Sequence, residues 1–95
     1  MAKTRVVDFP LGRVVATPGA LAAIEKAGEH PLAFLMRHEA GDWGDLDAGD
    51  KQSNEEALAN GDRILSAYNL KDGERIWILT ESDRSVSTIL LPSEY

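Results

Sequence analysis

The last third of the chain runs in short β-branched and aromatic stretches broken by turn residues, and this pattern leaves little choice but a sheet. Residues 63–70 (RILSAYNL), 75–81 (RIWILTE) and 85–91 (SVSTILL) are the three stretches. Lys71-Asp72-Gly73-Glu74 joins the first two through an Asp-Gly turn, and Ser82-Asp83-Arg84 joins the second pair. Together they predict an antiparallel meander. Its middle run, with Trp77 between Ile76 and Ile78, is apolar on both faces and reads as a central strand.

Upstream, residues 4–9 (TRVVDF) and 12–17 (GRVVAT) predict two further short strands about Pro10-Leu11-Gly12, placed to extend the meander at its edge. Three helices are expected between the two β regions. Thr17-Pro18 opens the first with a capping hydroxyl and a proline where no hydrogen bond is lost. Leu21, Ile24 and Ala27, with Ala20 and Ala23, form its apolar face, and Gly28 stops it. The second helix starts at Pro31, just after His30. Leu32, Leu35, Met36 and Glu39 share one track, Phe34 and His38 lie beside it, and Gly41 ends it. The third begins near Asp50 or Ser53, where Ser53 and Glu56 have capping-box spacing, and stops at Asn60-Gly61. The expected class is α+β in the order ββαααβββ, an antiparallel meander with helices packed on one face, with residues 1–95 forming a single domain.

Composition narrows the function classes. The 95 residues include no cysteine, which removes disulfides and thiolate metal sites and fits a reducing compartment. No signal-peptide core and no apolar run of about 20 residues is present, so a cytoplasmic protein without a membrane partner is expected. The formal net charge is −6, but Glu39 to Asp62 alone carries −7, with eight acids against Lys51, leaving +1 for the remainder. Such a field repels nucleic acid and attracts a basic partner, so a basic or nucleic-acid-binding protein is the expected partner. The candidate contact residues are Asp42, Trp43, Asp45, Asp47, Asp50, Glu55 and Glu56.

Three segments carry a likeness to known proteins: GRVVATPGALAAIEKAG, HEAGDWGDLDAGD and ERIWILTESDRSVSTILLPSEY. They resemble short bacterial proteins of chromosomes and mobile elements, described as plasmid-related and sometimes as a type I restriction endonuclease subunit. Gly41-Asp42-Trp43-Gly44-Asp45 and the run from Thr80 to Thr88 are its most specific parts. The resemblance implies a bacterial, mobile-element-associated domain and carries no established activity.

Two chemistries deserve comparison with plain binding. His38 and Asp42 are four residues apart, near Glu39 and Asp45, and such a group could bind a divalent cation or serve as a base with its orienting acid. The alternative is a histidine at a helix C-terminus, favoured by the helix dipole. Arg63, Arg75 and Arg84 fall in the meander with Tyr68, Glu81, Ser85, Ser87 and Thr88. Helices followed by such a meander are similar in outline to barnase/RelE-like ribonucleases, with His38 working beside Arg63 or Arg84. The alternative is that the arginines pair with Glu74, Glu81 and Asp83 on the sheet surface. Asp42, Asp45, Asp47 and Asp50 do not match the spacing of a calcium loop, and no glycine-rich phosphate loop is present. No metal and no cofactor is therefore expected. Trp43, between Asp42 and Gly44, either plugs the core or is held out for a ligand. The leading expectation is a non-catalytic protein-binding module acting on nucleic-acid or defence machinery through its acidic surface. The ribonuclease is the alternative.

Overall fold

Every element of the computed structural model, which describes residues 9–95, follows from a local signal in the chain. The order is β1 (Arg13–Ala16), α1 (Pro18–Lys26), α2 (Pro31–Glu39), α3 (Ala48–Asn60), β2 (Ile64–Asn69), β3 (Arg75–Thr80) and β4 (Val86–Leu90), then a 3₁₀ turn at Pro92–Glu94. Residues 4–8 of the first expected strand lie outside the described residues, and Phe9 belongs to no strand.

The sheet runs β1-β4-β3-β2. β2, β3 and β4 form the expected meander, with Ile64 opposite Thr80 and Ile78 opposite Ile89. β1 joins the β4 edge in parallel, so the sheet is mixed and not purely antiparallel. A parallel neighbour needs a long crossover. Here α1, α2, α3 and the first hairpin supply it before the chain returns in β4.

α1 starts as its sequence predicts, with the Thr17 hydroxyl accepting from Ala20 N–H at 3.0 Å. It buries Ala20, Ala23 and Ile24, small enough to bring the helix close over β4, and leaves Leu21 exposed. The expected apolar track of α2 needs correction. Phe34 and His38 point inward, whereas Leu32 and Met36 are exposed. Phe34 sets this rotation by packing on the Tyr68 ring, 5.5 Å between centroids.

The start of α3 differs as well. Asp47, not Asp50 or Ser53, is the cap, accepting from Asp50 N–H at 2.8 Å. Ser53 is inside the helix, donating back to the Gly49 carbonyl at 3.1 Å. Gly61, in the left-handed region at φ 73°, closes the helix as expected. α1 and α2 cover one face of the sheet, and α3 meets the outer edge of β2 through Asn54 while Ala57 packs with Ile64.

That edge decides much of the molecule. An edge strand exposes unpaired N–H and C=O groups, which are costly to bury and invite pairing with other chains. On β2 the outward groups of Leu65 and Ala67 and the Asn69 N–H are occupied. Asn54 of α3 meets Leu65 with both ends of its amide, accepting from the N–H at 3.1 Å and donating to the C=O at 2.7 Å. Ala67 N–H donates to the Trp43 carbonyl and Ala67 C=O accepts from Asp45 N–H. Asn69 N–H donates to the Asp45 carboxylate at 2.8 Å. The Gly41–Asp45 segment thus serves as a one-residue extra strand, bridging at Gly44.

Two cores result. Ile24, Phe34, Tyr68, Ile76, Ile78 and Ile89 fill the space under α1 and α2. Phe9, Trp43, Ala57 and Ile64 form a second cluster toward α3. Each large side chain contributes about 2 kcal/mol through burial.

Gly44 has φ 78°, and a Cβ there would overlap the Ala67 carbonyl oxygen and the Tyr68 ring. At Gly61 a Cβ would meet open space. Urea denaturation should therefore separate the two positions. Gly61→Ala should lose about 1–2 kcal/mol, the left-handed strain alone. Gly44→Ala should lose about 4 kcal/mol, because overpacking adds to that strain.

Candidate functional site

α2 directs His38, the residue with the most catalytic potential, into the interior. Its relative exposure is 0%, with the Phe9 and Trp43 rings edge-on at 5.2 and 6.0 Å. Nδ1 lies 2.6 Å from Ser66 Oγ and Nε2 lies 2.9 Å from Thr80 Oγ1. Thr80 Oγ1 is 2.7 Å from Ser87 Oγ, and Ser87 donates to the Leu11 carbonyl at 2.7 Å.

The proton positions along this chain follow from counting hydrogens. A carbonyl can only accept, so the single Ser87 hydrogen goes to Leu11. Thr80 must then donate to Ser87, and His38 Nε2–H must donate to Thr80. Nδ1 is left bare and accepts from Ser66. The ring is neutral and held in one tautomer. Burial, followed by the nearby Arg84 charge, pushes its pKa down to about 4, which agrees with this assignment.

The arginines have structural partners of their own. Arg84, at φ 61°, donates to the carbonyls of Asp62 at 2.6 Å, Glu81 at 3.1 Å and Ala57 at 3.1 Å, closing the end of α3. Arg63 pairs with Glu81 at 3.1 Å and donates to the Tyr95 hydroxyl at 3.3 Å. At 0% exposure the His38 ring is closed to a scissile phosphate, and both arginines are held by other partners.

The acidic residues divide differently. Trp43 plugs the core at 3% exposure, with its indole N–H donating to Glu55 at 2.8 Å. Asp42 accepts from Arg37 at 2.7 Å, and that hydrogen bond, ahead of all else, holds its carboxyl below the usual range. The Asp42 carbonyl also accepts from the buried Tyr68 hydroxyl at 2.6 Å. Burial pushes that phenol above its ordinary value. Asp42, Asp45, Asp47, Asp50, Glu55 and Glu56 all remain exposed, so their charges face solvent even where they hold the backbone.

A groove of about 430 Å³ lies on the sheet face away from α1 and α2. Leu65 and Trp77 are its floor, and Leu46, Asp50 and Ser53 are its wall toward α3. Arg75 and Arg63 stand at the two ends of the β2–β3 pairing. Arg75 and Trp77 stand out separately in the sequence, and the structure brings them to one groove. The signal was available: two residues apart on one strand, they share a face.

Comparison of the chain with family models, with curated proteins and with solved structures finds no match. No helix among the described residues is long and apolar enough to cross a membrane.

The buried histidine gives stability a pH dependence. Unfolded His38 titrates near the ordinary histidine value of 6.5 and folded His38 near 4, so the unfolded chain binds the extra proton between them. Stability should be full above the upper value and fall as pH drops toward the lower one, by about 3 kcal/mol. Urea melts across this window should show the slope in the wild type, and a folded His38→Asn variant should lose most of it.

Proposed function

We propose that the chain is a non-catalytic protein-binding module of the bacterial cytoplasm whose contact surface is the acidic stretch from Asp42 to Asp62. The observation that carries this reading is the exposure of α3, which buries only Asn54 and Ala57. The other side chains of the helix are left to solvent, apart from a half-buried Leu58, and the flanking acids extend the same field. Fixed backbone contacts at Asp42, Asp45 and Asp47 hold carboxylates in set positions, which suits recognition of a basic surface more than flexible side chains would.

The partner is a basic protein. Carboxylates arrayed along a helix can occupy a channel that otherwise accepts phosphates. The likeness to plasmid-related, mobile-element proteins points to host nucleic-acid or defence machinery as that partner. Trp43 has no part in the contact, since it belongs to the core. The groups with catalytic potential, His38 and Arg84, are spent on the fold, which favours binding over ribonuclease chemistry.

Affinity capture from bacterial lysate at low and moderate salt tests this reading. A partner recovered in stoichiometric amount should be lost as salt rises. The double variant Asp50→Lys, Glu56→Lys should bind it at least roughly tenfold more weakly. Equal recovery by the variant would end the electrostatic account.

A further inference from the structure

A surface guanidinium is usually neutralised by a carboxylate, and Arg37 and Arg63 follow that habit with Asp42 and Glu81. Arg75 does not. Its Nε donates to the Asn69 side-chain oxygen at 3.0 Å, and Nη2 lies 3.5 Å from the Asp45 carbonyl. Among the described residues no carboxylate oxygen comes within 4.0 Å of it. Two neutral acceptors hold the cation in place at the groove, without a carboxylate partner among the described residues.

Beside it stands an aromatic platform. Trp77 is on the same face of β3, two residues along and so about 7 Å away. The Tyr95 ring braces it edge-on at 5.6 Å, and Arg63 holds the Tyr95 hydroxyl. We propose that this groove binds a nucleotide, its base against the Trp77 indole and its phosphate on Arg75. Stacking on tryptophan accepts any base, and a guanidinium fork matches phosphate oxygens. The separation of the two side chains is comparable to that between a base and its own phosphate. Asp50 and Ser53 on the α3 wall offer oxygen acceptors for base or ribose donors. The volume falls within the range of small-ligand sites.

The charge around the groove sets the ligand's size. Asp50 lines it, and the acidic stretch around α3 adjoins it. One phosphate finds an unneutralised arginine, whereas each additional phosphate meets carboxylates. A nucleoside monophosphate is therefore favoured over a triphosphate, and a single terminal nucleotide over the interior of a strand.

The test is titration of the full ¹⁵N-labelled chain, followed by two-dimensional NMR, with AMP, GMP, CMP, UMP, ATP, inorganic phosphate and a short single-stranded RNA. Saturable shifts at Arg75 and the Trp77 indole N–H are expected with a monophosphate. They should weaken roughly tenfold in Trp77→Leu and in Arg75→Gln, each variant otherwise keeping the native spectrum. The RNA binding more tightly than its monophosphate would assign the nucleotide to a strand end, and weaker binding would assign it to the free pool. The proposal is overturned if no monophosphate produces saturable shifts there, or if inorganic phosphate alone reproduces them.

Discussion

The outward edge of β2 is the constraint on which the rest of the molecule depends. Leu65, Ala67 and Asn69 each present backbone groups away from β3, and each finds a specific partner in Asn54, Trp43 or Asp45. Because Gly44 must approach Ala67 closely, the loop before α3 has one path. That path turns Trp43 into the cluster with Phe9, Ala57 and Ile64 and leaves the aspartates outside. The same contacts that protect the edge therefore set out the acidic surface. They also place α3 along the edge, so that its inner side becomes the wall of the groove over Leu65 and Trp77.

Inside, the polar chain from Ser66 through His38, Thr80 and Ser87 to Leu11 ties α2, three strands and the segment before β1. A buried network of this kind is stable only when every member is satisfied, and here each hydrogen has one acceptor. The consequence is a division of labour. Histidine and Arg84, the residues most suggestive of catalysis, maintain the fold, while the surface offers carboxylates on one side and an arginine beside a tryptophan on another. That distribution is the ground for the binding function proposed above.

Much of the fold was legible where a local rule dominates. Thr17-Pro18, Pro31, Gly61 and the Asp72-Gly73 turn act within a few residues and appear where the chain predicted them. The parallel placement of β1 was not legible, because no local pattern records which edge a distant strand will join. The α3 start was misread because Ser53 and Glu56 matched a capping pattern while Asp47, six residues earlier, made the bond. The surroundings of His38 were not legible for a similar reason: its neighbours in sequence are acidic, but its neighbours in space are hydroxyls. One signal was present. Ser66, Thr80 and Ser87 occupy inward positions among Ile64, Tyr68, Ile78 and Ile89, and hydroxyls in those positions call for a buried polar partner. Gly41–Asp45 stands out as a specific motif, yet its role as an edge cover needs the position of β2, which begins only at Ile64, beyond α3.

Native-state hydrogen exchange of the Leu65, Ala67 and Asn69 amides tests the central claim most directly, because these N–H groups face away from the rest of the sheet. If the loop and α3 close the edge as described, all three should exchange only through large openings, at rates near those of the β3 core amides. Exchange as fast as that of an open edge, with β3 still protected, would contradict the account.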